Sequence, residues 1–387
     1  MLLKDLIKNE SYIYTERYVN QFKKVANEIP KEYCPIEGNS SFLIPHLNLT
    51  LDGRVNLFLA NPREEIYNKI ISGNNLKFYL HPEMVNEINH NGLIWGTIVE
   101  PTSSVRTVLS KGENYALKLH LNRRLSKYIR RLRESSVKHS ILISSEIDSA
   151  LTRSPESFAY LPESIGVCYQ DIGMIVREMI PRPEVRESRI MVPLFSLYSR
   201  DLRREEDDPL FVQLANLKRK DPLGYFVDKI IEPLFANMGF FINNYGILLE
   251  PHGQNVLAEI DANFEIKRLV HRDFQSIYVD SEIRRTRGLD TLVEKHIMGV
   301  ECPKEISYSL VYDQFVGEYL LDNFVRLLNS YYCISEEKIR GSIRQIFNEY
   351  FDLNLFPKDC YYFMKKGVFQ DNNTVFDRFN EKPRYRP

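Results

Sequence analysis

Apolar residues recur at different periods along this chain, and each period predicts a different element. Residues 1 to about 35 place Leu2, Leu3, Leu6 and Ile7, then Tyr18, Val19, Phe22 and Val25, at helical spacing, which predicts amphipathic helix. From 42 to 60 the pattern is that of strands: Phe42 to Pro45, the alternating Leu47 to Leu51, and Val55 to Leu59. Asp52-Gly53 between two such runs predicts a β-hairpin joining them. Leu76 to Leu80 predicts a strand running into His81-Pro82. Leu93 to Val99 and Tyr115 to Leu121 predict a hairpin whose polar lip is Glu100 to Thr107. Leu121 to Leu132 reads as a helix, made very basic by Arg123, Arg124, Lys127, Arg130 and Arg131. Short strands and turns are expected over 141 to 200, among them Ile165 to Tyr169 and Met174 to Met179. Phe226, Ile230, Leu234 and Phe235 predict a strong helix over Tyr225 to Met238, with Gly239 as its stop. Tyr245 to Leu249 and Val256 to Ile260 predict two short strands meeting at a turn, and Ile266 to Val270 a third. Amphipathic helices are expected over 307 to 332 and 335 to 351, followed by a polar tail from Asp371 that should fray.

This order of elements predicts an α+β fold with antiparallel sheets and a helix-rich C-terminal part. At 387 residues the chain exceeds what one core usually serves. The expected division is 1–90, an N-terminal α/β part; 91–200, an antiparallel-sheet nucleotide-binding part; and 201–387, a helix-rich part. Composition then narrows the class. Hydrophobic residues make up 43% and charged residues 27%, as in an ordinary globular protein. The 51 Lys and Arg against 52 Asp and Glu give a formal charge of -1, so neither nucleic acid nor an anionic membrane is expected as the main partner. The five cysteines are scattered without a CxxC, which fits a reducing cytoplasm and offers no zinc site. Charges interrupt the first 16 residues, unlike a signal peptide, and no apolar run approaches the roughly 20 residues of a membrane span.

Two stretches carry candidate chemistry. The first is Glu250-Pro251-His252-Gly253-Gln254-Asn255, at the turn between two predicted strands. Carboxylate and amide oxygens there suit a hard cation such as magnesium, and a neutral imidazole can take or give a proton near pH 7. A plain polar turn with a satisfied histidine is the alternative. The second is the lip Glu100 to Thr107. Hydroxyls and backbone amides of Ser103, Ser104 and Thr107 can donate to phosphate oxygens, Arg106 can hold them bidentately, and Lys118 adds a point charge. One or two arginines of the basic stretch facing the lip would complete an anion pocket. No Walker A sequence and no GxGxxG occurs, so neither a P-loop nor a Rossmann site is supported.

Together these stretches resemble the NRPS-independent siderophore synthetases, the aerobactin-synthetase (IucA/IucC) family. The resemblance rests on Pro101 to Thr107, on Lys118 eleven residues after Thr107, on Arg130 twelve further on, on Glu250 to Asn255, and on Arg272-Asp273-Phe274. His81-Pro82 resembles the start of the family's H-P-W-Q, with Glu83-Met84 in place of its last two residues, and Arg177-Glu178 resembles a family strand ending in R-E. The likeness runs over roughly residues 76 to 370, as a short member without the family's second histidine-proline motif. It implies a hand-like thumb, fingers and palm arrangement. It also implies ATP- and magnesium-dependent adenylation of a carboxylate, citrate or a relative, followed by capture by an amine, hydroxylamine or hydroxyl. By the same resemblance, Ser103, Ser104, Arg106, Thr107, Lys118, Arg130 and Gln254 would hold ATP. Glu250, Asn255 and Asp273 would hold magnesium. His252, Arg130 and Lys118 would be catalytic, and His81, His252 and Arg130 would meet the carboxylate. A homodimer, a ligase for another specialised metabolite, a non-catalytic nucleotide-binding homologue and an unrelated kinase or ATP-grasp ligase stay open at this point.

Overall fold

The computed structural model describes residues 1–8, 11–20, 29–89, 92–125, 128–187, 189–289, 304–363 and 382–387, with short strands at 296–297, 300–301 and 376–379. Among its described residues the N-terminal stretch holds one short helix, α1 (Ser11–Tyr18), between single turns at Leu3–Asp5 and Lys31–Tyr33. The helical positions expected at Phe22 and Val25 lie outside the described residues.

The strands β1 (Phe42–Thr50), β2 (Val55–Leu59), β3 (Ile71–Ser72), β4 (Asn75–Tyr79), β5 (Ile94–Pro101), β6 (Thr107–Ser110) and β7 (Tyr115–Leu119) come next, with helix α2 (Glu64–Ile70) between β2 and β3. The Asp52-Gly53 turn forms, but it does not make a hairpin. β1 is flanked by β4 and β5, so neither of its edges is left for β2. Pro45, which lacks a backbone donor, sits where the β1–β5 register shifts, at a bulge that tolerates it.

The basic stretch after β7 is not a helix. It is a small hairpin of β8 (Arg124–Leu125) and β9 (Tyr128–Ile129), closed by Leu121 N donating 3.1 Å to Arg130 O and Arg130 N donating 3.1 Å to Arg123 O. Leu121, Leu125 and Leu132 mimic helical spacing, yet all three point into the core from extended chain. Of the basic residues, Lys127 lies outside the described positions. The next element is one the apolar pattern did not suggest: helix α3 (Glu134–Ala150). Its serines and β-branched isoleucines favour strands and turns locally. Burial of Val137, Ile141, Ser144 and Ile147 at helical spacing overrides that preference.

After α3, β10 (Phe158–Tyr160), β11 (Glu163–Tyr169) and β12 (Ile172–Glu178) follow. One antiparallel sheet of nine strands runs β2-β11-β12-β7-β6-β5-β1-β4-β3. Strands from both sides of residue 90 therefore share one sheet. β11 and β12 are buried on both faces. Met174 and Val176 of β12 join the main apolar core beneath the sheet, while Ile175 between them packs with Val137 and Ile141 of α3 on the other side.

A second body begins with β13 (Arg189–Pro193) and helices α4 (Leu194–Tyr198), α5 (Leu210–Lys218), α6 (Pro222–Phe226) and α7 (Glu232–Tyr245). A π-turn at Val227–Ile231 joins α6 to α7 just before Pro233, whose missing N–H an α-helix would need. The helix runs straight past Gly239. It stops at Gly246, in left-handed conformation (φ 61°), whose N–H donates 2.9 Å to Ile242 O. Gly239 is small for another reason: a Cβ there would lie 2.8 Å from the Tyr350 carbonyl oxygen. β14 (Ile247–Leu248), β15 (Val256–Asp261), β16 (Ile266–His271), β17 (Tyr278–Val279) and α8 (Ser281–Thr286) follow. A four-stranded sheet of order β10-β16-β15-β13 packs Val256, Ala258 and Ile260 against the large helical core.

The two amphipathic helices expected near the C-terminus are present. The first is α9 (Lys304–Ser309), a π-helical stretch (Leu310–Leu321) and α10 (Asp322–Tyr332) in one run; the second is α11 (Glu336–Tyr350). Residues 384–386 dock against that π-helical stretch and the start of α10: Arg386 Nη2 lies 2.9 Å from Asp313 and Arg384 Nη1 2.6 Å from Asp322. The architecture is the expected α+β, with an antiparallel sheet first and helices last.

Candidate active site

The two stretches that carry candidate chemistry, together with Asp273, meet where the nine-stranded sheet faces the second body. The lip 102–106 connects β5 to β6 and ties itself with its own hydroxyls. Thr102 Oγ1 donates 2.6 Å to Thr107 O, and Ser104 Oγ accepts 2.9 Å from Thr107 N. At its tip Val105 is buried with φ 64°, an unfavourable conformation for a β-branched residue that a rigid loop must hold in place. Arg106 is buried. Its guanidinium donates to Arg130 O and Gln275 Oε1, both at 2.9 Å. Burial, with the Arg130 charge nearby, pulls Arg106 down to about 9.

Lys118, pointing from β7, is almost fully buried and pairs with Asp273 just beyond β16. Asp273 has φ 72°, so the chain turns its carboxylate back toward the sheet. Arg177 Nη2 stands 3.8 Å from the other oxygen. Burial opposes the Asp273 charge, but Lys118 and Arg177 more than offset it and hold the carboxyl far below the usual range, while the side chain keeps 30% exposure. Burial lowers Lys118, against the pull of Asp273 and Glu163.

The Glu250 turn sits on α4. A Cβ on Gly253 would lie 2.4 Å from the Tyr198 hydroxyl and 3.2 Å from Phe195, so only glycine allows this close approach. Glu250 is buried, and its Oε1 has no hydrogen-bond partner among the described residues. Burial, with the Asp273 charge beside it, pushes its carboxyl up to about 8. Both facts suit an oxygen that awaits a cation. Burial, helped by Arg272 and Arg130, holds the His252 imidazole at about 4. The ring is therefore neutral near pH 7. Its Nδ1 accepts 3.2 Å from Gln254 N, which leaves the proton on Nε2, and Phe315 of the π-helical stretch packs edge-on at 6.0 Å. Among the described residues no group of three or more His, Cys, Asp or Glu forms a metal cage.

Of the residues singled out in the sequence, Lys118 and Asp273 touch, as do Ser103 and Gln254, whose Nε2 donates 2.9 Å to Ser103 Oγ. Arg130 acts electrostatically on Arg106, Glu250 and His252. Asn255 is buried in the same turn. His81 Nδ1 accepts 3.2 Å from Glu83 N, capping the turn Pro82–Glu87, and its ring lies against Tyr33 and Phe42.

Two partners, Glu163 and Glu16, were not foreseen, and Arg272, quoted only as part of its motif, has contacts of its own. Glu163 is fully buried at the start of β11; it takes Arg177 through Nε at 3.2 Å, Ser140, and the Phe274 amide at 3.2 Å. Its signal was a carboxylate opening an otherwise apolar strand. Arg272 reaches Gln254 O through Nε at 2.9 Å. Glu16, from α1, is fully buried against Ser103 and Arg272. Nothing in its local sequence marks it out.

Comparison with known proteins adds a second line of observation. A family model described as "IucA / IucC family" matches residues 79–199, and one described as "Ferric iron reductase FhuF-like transporter" matches 223–359. The chain is 25% identical over 130 residues to staphyloferrin A synthase of Staphylococcus aureus, covering 33% of this chain and 21% of that protein. It is 26% identical over 195 residues to the NRPS-independent siderophore synthetase rfs of Rhizopus delemar, covering 47% of this chain and 29% of that protein. The matched stretches thus span less than a third of either relative. In three dimensions the chain is similar to the petrobactin biosynthesis protein AsbB of Bacillus anthracis (TM-score 0.72, 18% identity, 98% of this chain and 75% of that one). It is also similar to ATP-bound aerobactin synthetase IucA of Klebsiella pneumoniae (TM-score 0.66, 15% identity, 94% and 73%). At these identities the structural likeness is one of fold.

Proposed function

We propose that the chain is a member of the IucA/IucC family of NRPS-independent siderophore synthetases and, on that premise, an ATP-dependent ligase of siderophore biosynthesis. The reaction is adenylation of a small carboxylic acid, citrate or a relative, followed by capture with an amine, hydroxylamine or hydroxyl. The carboxylate oxygen attacks the α-phosphorus of ATP and pyrophosphate leaves; the nucleophile then attacks the acyl carbon and AMP leaves. The observation that supports this best is the burial of Lys118, Arg106 and Glu250 around the half-buried Asp273 at one junction, where the lip and the turn converge.

In this reading Arg106, Lys118 and Arg130 clamp the triphosphate, with Ser104 and Thr107 holding the lip that carries Arg106. The neutral His252 offers its Nε2–H to an oxygen of the carboxylate rather than acting as a strong base. Glu250, Asp273 and the neutral oxygen donor Asn255 would hold magnesium, which takes one or two carboxylates and keeps the phosphates as its remaining ligands. Bound there, it would offset phosphate charge as pyrophosphate departs. Phe315 keeps water from the imidazole.

The test is pyrophosphate release from ATP and magnesium against a panel of di- and tricarboxylates, with hydroxylamine as trap. Carboxylate-dependent release is expected. Nucleotide binding without release under any carboxylate would leave a binding protein; no nucleotide binding at all would defeat the reading.

A further inference from the structure

The donors of Ser103, which the lip would be expected to turn toward phosphate, point elsewhere. Ser103 N donates 3.2 Å to Glu16 Oε2, and Ser103 Oγ donates 2.5 Å to the same oxygen. The hydroxyl in turn accepts from Gln254 Nε2. The other Glu16 oxygen takes Arg272 Nη2 at 2.5 Å and the Tyr12 hydroxyl at 3.3 Å. Arg272 also reaches Tyr12 OH at 2.5 Å and Gln254 O at 2.9 Å. One buried carboxylate thus joins the lip, the Glu250 turn and the residue beside Asp273. Its helix is itself fixed: Arg17 donates to the carbonyls of Pro35, Asn39 and Ser40, and Tyr14 to Asp201.

We propose that Glu16 is a positioning residue of the nucleotide site, setting the spacing between the lip and the turn without touching the nucleotide. A carboxylate is required there. It accepts two donors from Ser103 while neutralising a buried guanidinium, and a hydrogen bond to a charged group is worth more than one between neutral groups. With Ser103 and Arg272 held by Glu16 and the other lip amides bonded within the loop, Arg106 and Lys118 remain to face the phosphates. The proposal rests on the ATP-dependent reading above.

The test is calorimetric binding of magnesium–ATP and of adenosine to the wild type, Glu16→Gln and Glu16→Ala, with circular dichroism confirming folding. Glu16→Gln keeps the shape and folds if Glu16→Ala does not. The expected result is that each variant binds ATP roughly 10-fold or more weakly, the scale of a lost charge-assisted contact. Adenosine, which lacks phosphates, should bind as it does to the wild type. Acetate added to Glu16→Ala should restore part of the ATP affinity by filling the vacated cradle. Unchanged ATP affinity in a folded Glu16→Gln, or equal losses for ATP and adenosine, would overturn the proposal. A wild type indifferent to ATP would instead remove the functional reading on which it stands.

Discussion

Burial works against the Lys118 charge, and Asp273 and Glu163 close by work for it. A triphosphate entering the site would offer the same compensation, so the ammonium can serve as clamp. Lys118→Ala and Arg130→Ala should each slow pyrophosphate release strongly, on the order of 2–4 kcal/mol in the transition state. Near-wild-type release in both would remove them from the clamp. Glu250 offers a cleaner test of the metal than Asp273, whose loss would strand Lys118. A carboxyl raised to about 8 is already protonated near neutral pH, so Glu250→Gln is close to isosteric with it. The variant should melt like the wild type yet need roughly 10-fold or more magnesium for half-maximal rate; an unshifted magnesium midpoint would clear Glu250 of that role. His81 bears on stability. Burial, helped by Arg123, holds its imidazole at about 4 in the fold, against about 6.5 in the unfolded chain. The unfolded state therefore binds more protons between those values. The stability His81 contributes is whole above about pH 6.5 and is lost as pH falls toward 4, on the order of 3 kcal/mol in all. Urea unfolding at pH 7.5 and pH 4.5 should show a smaller difference for His81→Gln than for the wild type.

The helix through α7 shows how one glycine can end an element while another merely lies in it. A Cβ on Gly246 would meet Asp280 O at 2.6 Å, in a left-handed backbone that L side chains rarely adopt. Gly53 has nothing within 4 Å. Gly246→Ala should therefore lose roughly 1–3 kcal/mol in thermal unfolding, and Gly53→Ala should stay within about 0.5 kcal/mol of wild type. Most elements were legible because apolar period and turn chemistry agreed: β4, β5, β7, β11, β12, β15, β16 and the last two long helices. Those misread share one cause, in that tertiary pairing overrode the local pattern. Asp52-Gly53 made its turn, but β4 and β5 had taken both edges of β1. Leu121, Leu125 and Leu132 kept helical spacing in an extended hairpin. The polar stretches of the site were legible because several unlike polar residues crowd a short span. Glu16 and Glu163 were not, since each is a single acid whose meaning comes from residues far away in the chain.

At the scale of the whole molecule, long-range ion pairs hold distant parts together. Arg386 and Asp313 form a bidentate pair, each side chain 2–3% exposed, and the Tyr385 hydroxyl meets Asp322. Removing residues 382–387 would leave the Asp313 carboxylate buried without that guanidinium, which is expected to lower stability by roughly 3–5 kcal/mol. A melting temperature unchanged on truncation would show the docking of 384–386 to be dispensable. The order of the nine-stranded sheet has a consequence in time. β5, β6 and β7 can pair as they emerge, and β1 can close on β4 soon after it is made. β2 must wait, since Leu59 pairs with Ile165. At ribosomal speed that gap lasts on the order of 5–20 s, during which the Val55–Leu59 segment has no edge to join. A nascent chain halted between β7 and β11 should therefore present a sticky, unpaired strand. Chaperone capture and aggregation of this protein should concentrate in that window of synthesis, and vanish once β11 has cleared the exit tunnel.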